Sequence, residues 1–363
     1  MRYSKWLLAL AATLLALGAA SLFGGATTAR GQSGGGPVPC VIPTTHTITA
    51  DAWLVCDVDC QQAVPAGGGP IGPCINFGRP NIKLSLNGFK MTGRANEPPR
   101  QGCVSDSEFP TNEADGIHSK FDEVQIVGPG LVQRMRRHGI ALIGTAADPL
   151  EKAQVKKVTS HLNCFSGVFM GSVNNSLVDE VVSVRNSANS GFRPCGGVCI
   201  TNSNKNVIRR SEFAGTGAIA PSGPPATIPP VAGIPNDFGI GLVGSSSENL
   251  IEENGSGGNI NGLALFPIGA ASPTNNLIKR NVLAGNPPIQ ISADNPLLNP
   301  VGSDIRDFSS PGSNNRFENN LCITYTAGPT TPTPSPHPCA GSQHDPATMF
   351  VPKLPQYAGH QNN

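Results

Sequence analysis

This 363-residue chain has few charged residues, few aromatic residues and almost no net charge. Asp, Glu, Lys and Arg make up 13% of it, the aromatic residues 5%, and the formal net charge is +1. A chain this close to neutral lacks the basic footprint that nucleic acid requires. Glycine and proline are abundant instead, with 43 and 34 residues. Many glycines with few aromatics are typical of an all-β protein made of short strands and many turns.

Long hydrophobic runs are missing everywhere except at the N-terminus. Arg2 and Lys5 precede the apolar stretch Trp6–Leu17, and small residues follow. This order predicts a secretory signal peptide, cleaved after Ala20 or Ala29, because the apolar stretch is too short to be a membrane span. No later stretch is apolar enough to cross a bilayer. We therefore expect a mature protein without a membrane span, secreted or in the periplasm.

Ten cysteines, an even number, all follow this leader. In an oxidising compartment they predict disulfides rather than metal ligands, and their spacings lack the nearby histidines that a zinc site needs. We expect two pairs within the first four cysteines, one pair in a Cys-x-x-x-Cys segment, and one clasp on the tail. The first group of four is Cys40, Cys56, Cys60 and Cys74. The Cys-x-x-x-Cys pair is Cys195 with Cys199, and the pair on the tail is Cys322 with Cys339.

Composition also divides the chain into segments. We predict a signal peptide at 1–29, a linker at 30–39, a cysteine-rich N-terminal cap at 40–80, a repeat region at 81–325 and a Pro/Thr-rich linker with an irregular tail at 326–363.

Within the repeat region, a glycine followed by alternating residues recurs every 20 to 30 residues, with one longer interval that holds a Pro- and Gly-rich insertion at 218–235. These glycines are Gly116, Gly139, Gly167, Gly197, Gly239 and Gly262. A period of this length predicts a solenoid of stacked coils with two or three short strands each. The first and third residues after each glycine are mostly apolar and should face inward.

A pair of charged residues recurs after an aliphatic or aromatic residue and changes sign at almost every repeat. The pairs are Lys156-Lys157, Asp179-Glu180, Arg209-Arg210, Glu252-Glu253, Lys279-Arg280 and, in part, Glu318-Asn319. Opposite charges attract, so this order suits one column of stacked coils. A charged polymer would meet repulsion at every second coil, so we interpret the column as structural.

Asparagine recurs on both sides of these pairs. One row is Asn206, Asn249, Asn276 and Asn315, and the other is Asn254, Asn281 and Asn320. Asparagine tolerates left-handed turns, and stacked amides hydrogen-bond to one another. We predict two asparagine ladders.

The segment Asn81–Gly93 places Ile82, Leu84 and Leu86 at period two before an Asn-Gly turn. With the glycine coils and the Asn-x-Ile-x-x-Asn turns, it resembles secreted bacterial right-handed parallel β-helix proteins of the pectate-lyase-like superfamily and the NosD-like repeat proteins. The resemblance covers about residues 44–325 and departs at Ser85, where many relatives carry Asp. It implies an all-β, right-handed parallel β-helix, that is, a single-stranded solenoid.

The resemblance also implies a function connected with extracellular polysaccharide. Relatives include polysaccharide lyases, glycoside hydrolases, epimerases and non-catalytic carbohydrate-binding proteins. Arg137-His138-Gly139 only partly matches the Gly-His-Gly motif of polygalacturonases, and Phe192–Cys195 lacks the second arginine of classical pectate lyases. If the chain is an enzyme, we expect a polysaccharide lyase or glycoside hydrolase. We expect a monomer without a cofactor, and the resemblance leaves a requirement for Ca²⁺ open.

Titratable residues are densest between residues 113 and 138. The residue before each repeat glycine and the second residue after it should face outward, on coils about 4.8 Å apart. Asp115, His118 and His138 should therefore be neighbours. A lyase needs a cation for the substrate carboxylate and a base for the adjacent proton. A hydrolase needs two carboxylates, and Asp115 with Glu113 is the only nearby pair.

We accordingly predict a catalytic set, with adjacent residues that bind substrate. The catalytic set is Asp115, His118, Arg136, Arg137 and His138, and the substrate-binding residues are Glu113, Arg134 and Phe169. The alternative is that these are solvated residues at the coil edge, with Asp115 and His138 forming one local ion pair. For the whole protein the alternative is a non-catalytic structural or adhesion solenoid of the cell envelope. A metal-handling partner fits less well, because the seven His and five Met show no ligand spacing or cluster.

Overall fold

The structure is a computed structural model. It describes residues 35–63, 69–95, 102–104, 112–186, 196–215, 238–259, 261–284, 286, 303–328 and 338–339. The predicted signal peptide, the insertion at 218–235 and most of the predicted tail lie outside the described residues.

Parallel pairing of short strands builds three sheets, which we name A, B and C. Sheet A contains β1 (Gly36–Pro37), β4 (Ala52–Trp53), β7 (Lys83–Ser85), β10 (Gln125–Val127), β14 (Gln154–Lys156), β18 (Leu177–Asp179), β21 (Val207–Arg209), β24 (Leu250–Glu252), β27 (Leu277–Lys279) and β30 (Arg316–Glu318). Sheet B contains β2 (Val41–Ile42), β5 (Val58–Cys60), β8 (Lys90–Thr92), β11 (Leu131–Gln133), β15 (Thr159–His161), β19 (Val182–Val184), β22 (Glu212–Ala214), β25 (Gly255–Gly257), β28 (Val282–Leu283) and β31 (Leu321–Cys322). Sheet C contains β3 (His46–Ile48), β6 (Ile75–Phe77), β9 (Ile117–Ser119), β12 (Ile140–Ile143), β16 (Val168–Gly171), β20 (Val198–Thr201), β23 (Phe238–Val243), β26 (Asn261–Phe266), β29 (Ser303–Asp307) and β32 (Tyr325–Ala327). A separate pair is β13 (Leu150–Glu151) with β17 (Val173–Asn174).

Each coil contributes one strand to sheet A, one to B and one to C before the chain returns to sheet A one level further on. Connections that return to a parallel neighbour in the same sheet are right-handed. The described residues contain no helix. The chain is therefore a right-handed parallel β-helix, as predicted.

The core is a set of aliphatic columns inside this cylinder. In sheet A, Ile126, Val155, Val178, Ile208 and Ile251 stand in register at successive levels, and all are fully buried. Their flanking residues point outward because side chains alternate along a strand. The buried columns fix the register, since a shift of one residue would expose the whole set.

The segment predicted to be a separate cap belongs to the β-helix itself. Strands β1 to β6, between residues 36 and 77, pair in the same three sheets as the later strands. Parallel strand pairing therefore starts within the predicted linker and cap segments, before residue 81, where the repeat region was predicted to begin. The cysteines and missing repeat glycines obscured the coils, although the alternation in Thr45–Thr49 indicated a strand.

Disulfide bonds lie near both ends of the described part of the β-helix. Cys40 pairs with Cys56 and Cys60 with Cys74, within the expected group of four. The tail clasp between Cys322 and Cys339 is also present. The expected partner of Cys199, Cys195, lies outside the described residues, although Cys199 is disulfide-bonded. The fourth described bond, Cys103–Cys164, was not predicted.

The charge column follows the predicted order. Lys156, Asp179, Arg209, Glu252, Lys279 and Glu318 occupy equivalent positions on successive strands of sheet A. The second member of each pair lies at the corner after the strand with a positive φ of 48° to 57°. Ion pairs link neighbouring levels, such as Arg210 with Asp179 at 2.6 Å and Arg280 with Glu253 at 2.8 Å.

Both predicted asparagine ladders are present, with amide-to-amide distances of 2.9 to 3.0 Å between successive levels. A third ladder was missed. It joins Asn163 to Asn186, and further along the helix it joins Asn259 through Asn286 to the buried carboxylate of Asp304. A repeated Ser-x-x-Asn pattern, as in Ser160–Asn163, is the signal that would have predicted it.

Candidate functional site

Asp115 is the centre of the predicted site and is fully buried just before β9. Its Oδ2 lies 2.9 Å from Nδ1 of His118 and 3.5 Å from Nη1 of Arg137. Its Oδ1 accepts a hydrogen bond of 3.0 Å from the backbone N–H of His138 on the next coil. We name Asp115, His118, Arg137 and His138 the Asp115 cluster.

The electrostatics of the cluster keep the Asp115 carboxylate charged. Burial alone would raise the pKa of Asp115, but nearby Arg137, the hydrogen bond with His118 and the adjacent histidines outweigh that effect. They lower its pKa from 3.8 to about 2. A buried charge needs such partners because water cannot solvate it.

His138 is held on three sides. Its Nδ1 accepts a hydrogen bond of 3.2 Å from the Ser166 backbone N–H. Its ring stacks on Phe169 with a centroid distance of 4.5 Å, and it lies 5.8 Å from the Phe165 ring. Phe169, which was predicted to bind substrate, thus packs one face of its ring against His138.

The other predicted residues lie apart from the cluster. Arg136 donates from Nε to the backbone oxygen of Gly102 at 2.5 Å. Glu113 forms a surface ion pair with Lys120 at 2.7 Å, with 38% of its side chain exposed, whereas Asp115 is fully buried. Arg134 occupies a coil corner with a φ of 55°. The structure therefore brings together four predicted catalytic residues and Phe169, and leaves Arg136, Glu113 and Arg134 outside.

The cluster is closed to large ligands in this conformation. Asp115 and His118 are 0% exposed, His138 3% and Arg137 7%. A general base must come within hydrogen-bond distance of the proton that it removes. The cluster also connects two successive coils, because Arg137 donates its backbone N–H to the Ala114 carbonyl at 3.1 Å.

Sequence reasoning missed an exposed aromatic site on the outer face of sheet A. Trp53 on β4 is 40% exposed, while its neighbours Ala52 and Leu54 are buried. It stands in register with Ser85 on β7. Around it lies an open hollow of about 310 Å³ lined by Asp51, Ala52, Trp53, Lys83, Ser85 and Asn87, which we name the Trp53 hollow. The signal was the alternation Ala52-Trp53-Leu54, which turns a tryptophan outward.

Polar groups in the Trp53 hollow are positioned by the backbone of two coils. Asp51 Oδ1 accepts a hydrogen bond of 2.9 Å from the Lys83 backbone N–H. Asn87 donates from Nδ2 to the Leu54 carbonyl at 3.1 Å. The lining therefore combines a cation, an anion, a hydroxyl and an amide around one aromatic face.

Within the part of the chain that the structure describes, no three or more His, Cys, Asp or Glu side chains are placed to hold a metal ion. The same part contains no helix with the length and apolar character that a membrane span needs.

No family model and no curated protein match this chain. Among solved structures, it is similar to pectate lyase Pel9A, with 14% identity and a TM-score of 0.41 over 81% of this chain and 69% of that one. It is also similar to the enzymatically active domain of bacteriophage CBA120 tailspike protein 2, with 11% identity and a TM-score of 0.34 over 79% and 38%. For the Azotobacter vinelandii mannuronan C-5 epimerase AlgE4 A-module, the identity is 12% and the TM-score 0.32 over 78% and 90%. Similarity at this level does not extend to activity. By its own strand pairing, the chain is a right-handed parallel β-helix protein.

Proposed function

We propose that this β-helix protein acts outside the cytoplasm and binds a carbohydrate chain at the Trp53 hollow without cleaving it at the Asp115 cluster. The observation that carries the proposal is the exposed Trp53 ring beside Asp51, Lys83, Ser85 and Asn87. Aromatic faces pack against the apolar faces of sugar rings, while a few placed polar groups bind hydroxyls.

The surroundings of the hollow suit an extended ligand. Along the outer face of sheet A, Trp53 is followed by Ser85 and Val127 in one column, and Lys83 by Gln125 and Gln154 in the other. Successive levels are about 4.8 Å apart. A glycan chain running along the β-helix axis would thus meet polar side chains at regular intervals.

Location outside the cytoplasm is supported by the disulfides. Four bonds join described cysteines, and bonds of this number persist in oxidising compartments. The leader predicted at residues 1–29 points the same way.

Removal of the aromatic platform tests the proposal. The ligand is an oligosaccharide chosen by screening a panel of neutral and acidic glycans. We expect Trp53→Ala to raise its Kd at least about tenfold, which corresponds to roughly 1.4 kcal/mol of binding free energy. Isothermal titration calorimetry would measure the change. Phe121→Ala is the matched control, because Phe121 is 36% exposed and lies outside the hollow.

Two results would contradict the proposal. One is equal affinity in wild type and Trp53→Ala. The other is release of new reducing or unsaturated sugar ends that depends on the Asp115 cluster. If no glycan on the panel binds, the alternative is a structural or adhesion solenoid, which the three internal amide ladders favour.

A further inference from the structure

The outer face of sheet A carries two parallel columns of side chains from β14 to β30. The charge column is Lys156, Asp179, Arg209, Glu252, Lys279 and Glu318, and the second column is Gln154, Leu177, Val207, Leu250, Leu277 and Arg316. The four aliphatic residues at the centre of the second column are only partly buried. A stripe of partly buried apolar residues therefore lies directly beside the charges.

The charge column has a symmetry that follows from its alternation. Over six levels the signs run plus, minus, plus, minus, plus, minus. If a second copy of the column faces the first in the opposite direction, every level meets the opposite sign. The level of Arg209 then faces that of Glu252, the level of Asp179 faces that of Lys279, and the level of Lys156 faces that of Glu318. The Asp179 side chain itself is only 8% exposed and is paired with Arg209 and Arg210 within its own chain.

The second column, which holds the aliphatic residues, has the same centre of symmetry as the charge column. This symmetry does not follow from the alternation of charge, so it supports the arrangement independently. Under the same reversal Val207 faces Leu250, Leu177 faces Leu277, and Gln154 faces Arg316. Apolar residues thus meet apolar residues at the four central levels, and polar residues meet at the two ends. The corner residues agree, because Arg210 would face Glu253 and Glu180 would face Arg280.

We propose that this face is an interface for a second copy of the chain, packed face to face and antiparallel about a two-fold axis between the levels of Arg209 and Glu252. Such an interface is self-complementary, as two-fold symmetry requires. This interface does not depend on the proposed function, and it differs from the monomer expected from the sequence. Trp53 lies beyond the paired levels, so each hollow stays open at opposite ends of the dimer.

The two columns have different roles in this dimer. The ion pairs within each chain already neutralise the charges, so the charge column adds orientation and register more than affinity. A shift by one level, or a parallel arrangement in register, would place like charges opposite each other. The aliphatic stripe supplies the apolar burial. The six levels span about 24 Å from the first to the last. A face of this length and only three residues wide is smaller than the roughly 800 Å² per partner of standard complexes, so we expect a weak dimer.

Sedimentation velocity over a range of concentrations tests the interface with one matched pair of variants. We expect wild type to show a reversible monomer–dimer equilibrium. Leu250→Lys should weaken dimerisation at least tenfold, because it places two charges near the axis. Leu131→Lys should leave the equilibrium unchanged, because Leu131 is also a partly buried leucine but lies on sheet B. Far-ultraviolet circular dichroism would verify that both variants keep the fold.

A charge swap separates the interface from the ladder within the chain. Arg209→Glu alone places like charges opposite each other twice and should abolish dimerisation. The double variant Arg209→Glu/Glu252→Arg restores opposite charges across the axis, while it puts like charges next to each other within each chain. We therefore expect dimerisation to return although the monomer is less stable. A wild type that stays monomeric at all concentrations, or a double variant no better than Arg209→Glu, would overturn the proposal.

Discussion

Asp115→Ala is expected to lower the free energy of unfolding by roughly 3–5 kcal/mol, because it removes one partner from a buried charge pair. Arg137 would lose the carboxylate that lies 3.5 Å from its Nη1, and the backbone N–H of His138 would lose its acceptor. His118 would lose the contact at Nδ1. Urea unfolding at neutral pH, followed by circular dichroism, measures the change.

Glu113→Ala is the control for this prediction. Glu113 is also a carboxylate near the repeat glycine, but it pairs with Lys120 at the surface. Exposed pairs contribute about 0–1 kcal/mol. A similar loss of stability in the two variants would show that Asp115 does not hold the corner through buried partners.

The same cluster gives a pH dependence with a definite sign. The pKa of Asp115 is about 2 in the folded protein and 3.8 as an ordinary aspartate. Because folding lowers this pKa, the ionised Asp115 side chain contributes its full stabilisation of the fold above about pH 4. The contribution is lost as the pH falls from about 4 through 2 and the carboxylate becomes protonated. It amounts to about 2 kcal/mol. The stability difference between wild type and Asp115→Asn should therefore shrink over that range and remain constant from pH 5 to 7.

Asp115→Asn also distinguishes support of the fold from catalysis. Because the cluster is buried and distinct from the Trp53 hollow, glycan affinity should be the same in Asp115→Asn and wild type. If the cluster were catalytic, this variant would lose a cleavage activity that wild type shows. Parallel calorimetry and an assay for released sugar ends on both proteins decide between these roles.

The charge column was predictable because its cause is local. Each pair lies next to a coil corner, where the second residue adopts a positive φ, and the preceding aliphatic residue fills the core. The core residue, the charged residue and the corner residue are therefore consecutive in the sequence, so the pattern can be recognised without knowledge of the fold. The amide ladders at Asn249 and Asn281 were predictable for the same reason, since each sits at a fixed offset from the pair.

Accessibility of the Asp115 cluster was not predictable in this way. The period correctly indicated that Asp115 and His138 are neighbours on adjacent coils. It also indicated an outward direction, but the outer face of sheet C is buried at His118, Ala141 and Cys199. The repeat pattern determines which way a side chain points from its strand. Whether that side is open to solvent depends on segments that do not repeat.

The Trp53 hollow escaped prediction for the opposite reason. It lies in the first coils, where no repeat glycine marks the register, so the segment was interpreted as a cap. Once β4 is paired with β7, Trp53 and Ser85 face outward together. The side chain best placed to contact a glycan is therefore an aromatic residue in an irregular coil, and not one of the conspicuous titratable residues.

Asn249→Leu is expected to destabilise the protein by roughly 3–5 kcal/mol. Asn249 lies in the middle of a buried ladder, where its Oδ1 accepts from both the backbone N–H and the side-chain amide of Asn206. Its Nδ2 donates to the Ser203 carbonyl and to Asn276 Oδ1 at 2.9 Å each. Leucine has a similar volume but leaves these groups unpaired, and each buried unpaired group costs about 1–3 kcal/mol. Guanidinium chloride unfolding measures the loss.

Asn315→Leu provides a graded control at the end of the same ladder. Asn315 is only partly buried, and its amide donates to the Pro273 carbonyl without a further asparagine beyond it. Water can replace part of its hydrogen bonds, so we expect a loss of about 1–2 kcal/mol. A solenoid is stabilised by contacts between neighbouring coils. Asn249→Leu therefore weakens the contact between the two halves of the β-helix, whereas Asn315→Leu weakens contacts only at its C-terminal end. Equal losses at both positions would mean that the amides act separately, and that the aliphatic columns alone couple the coils.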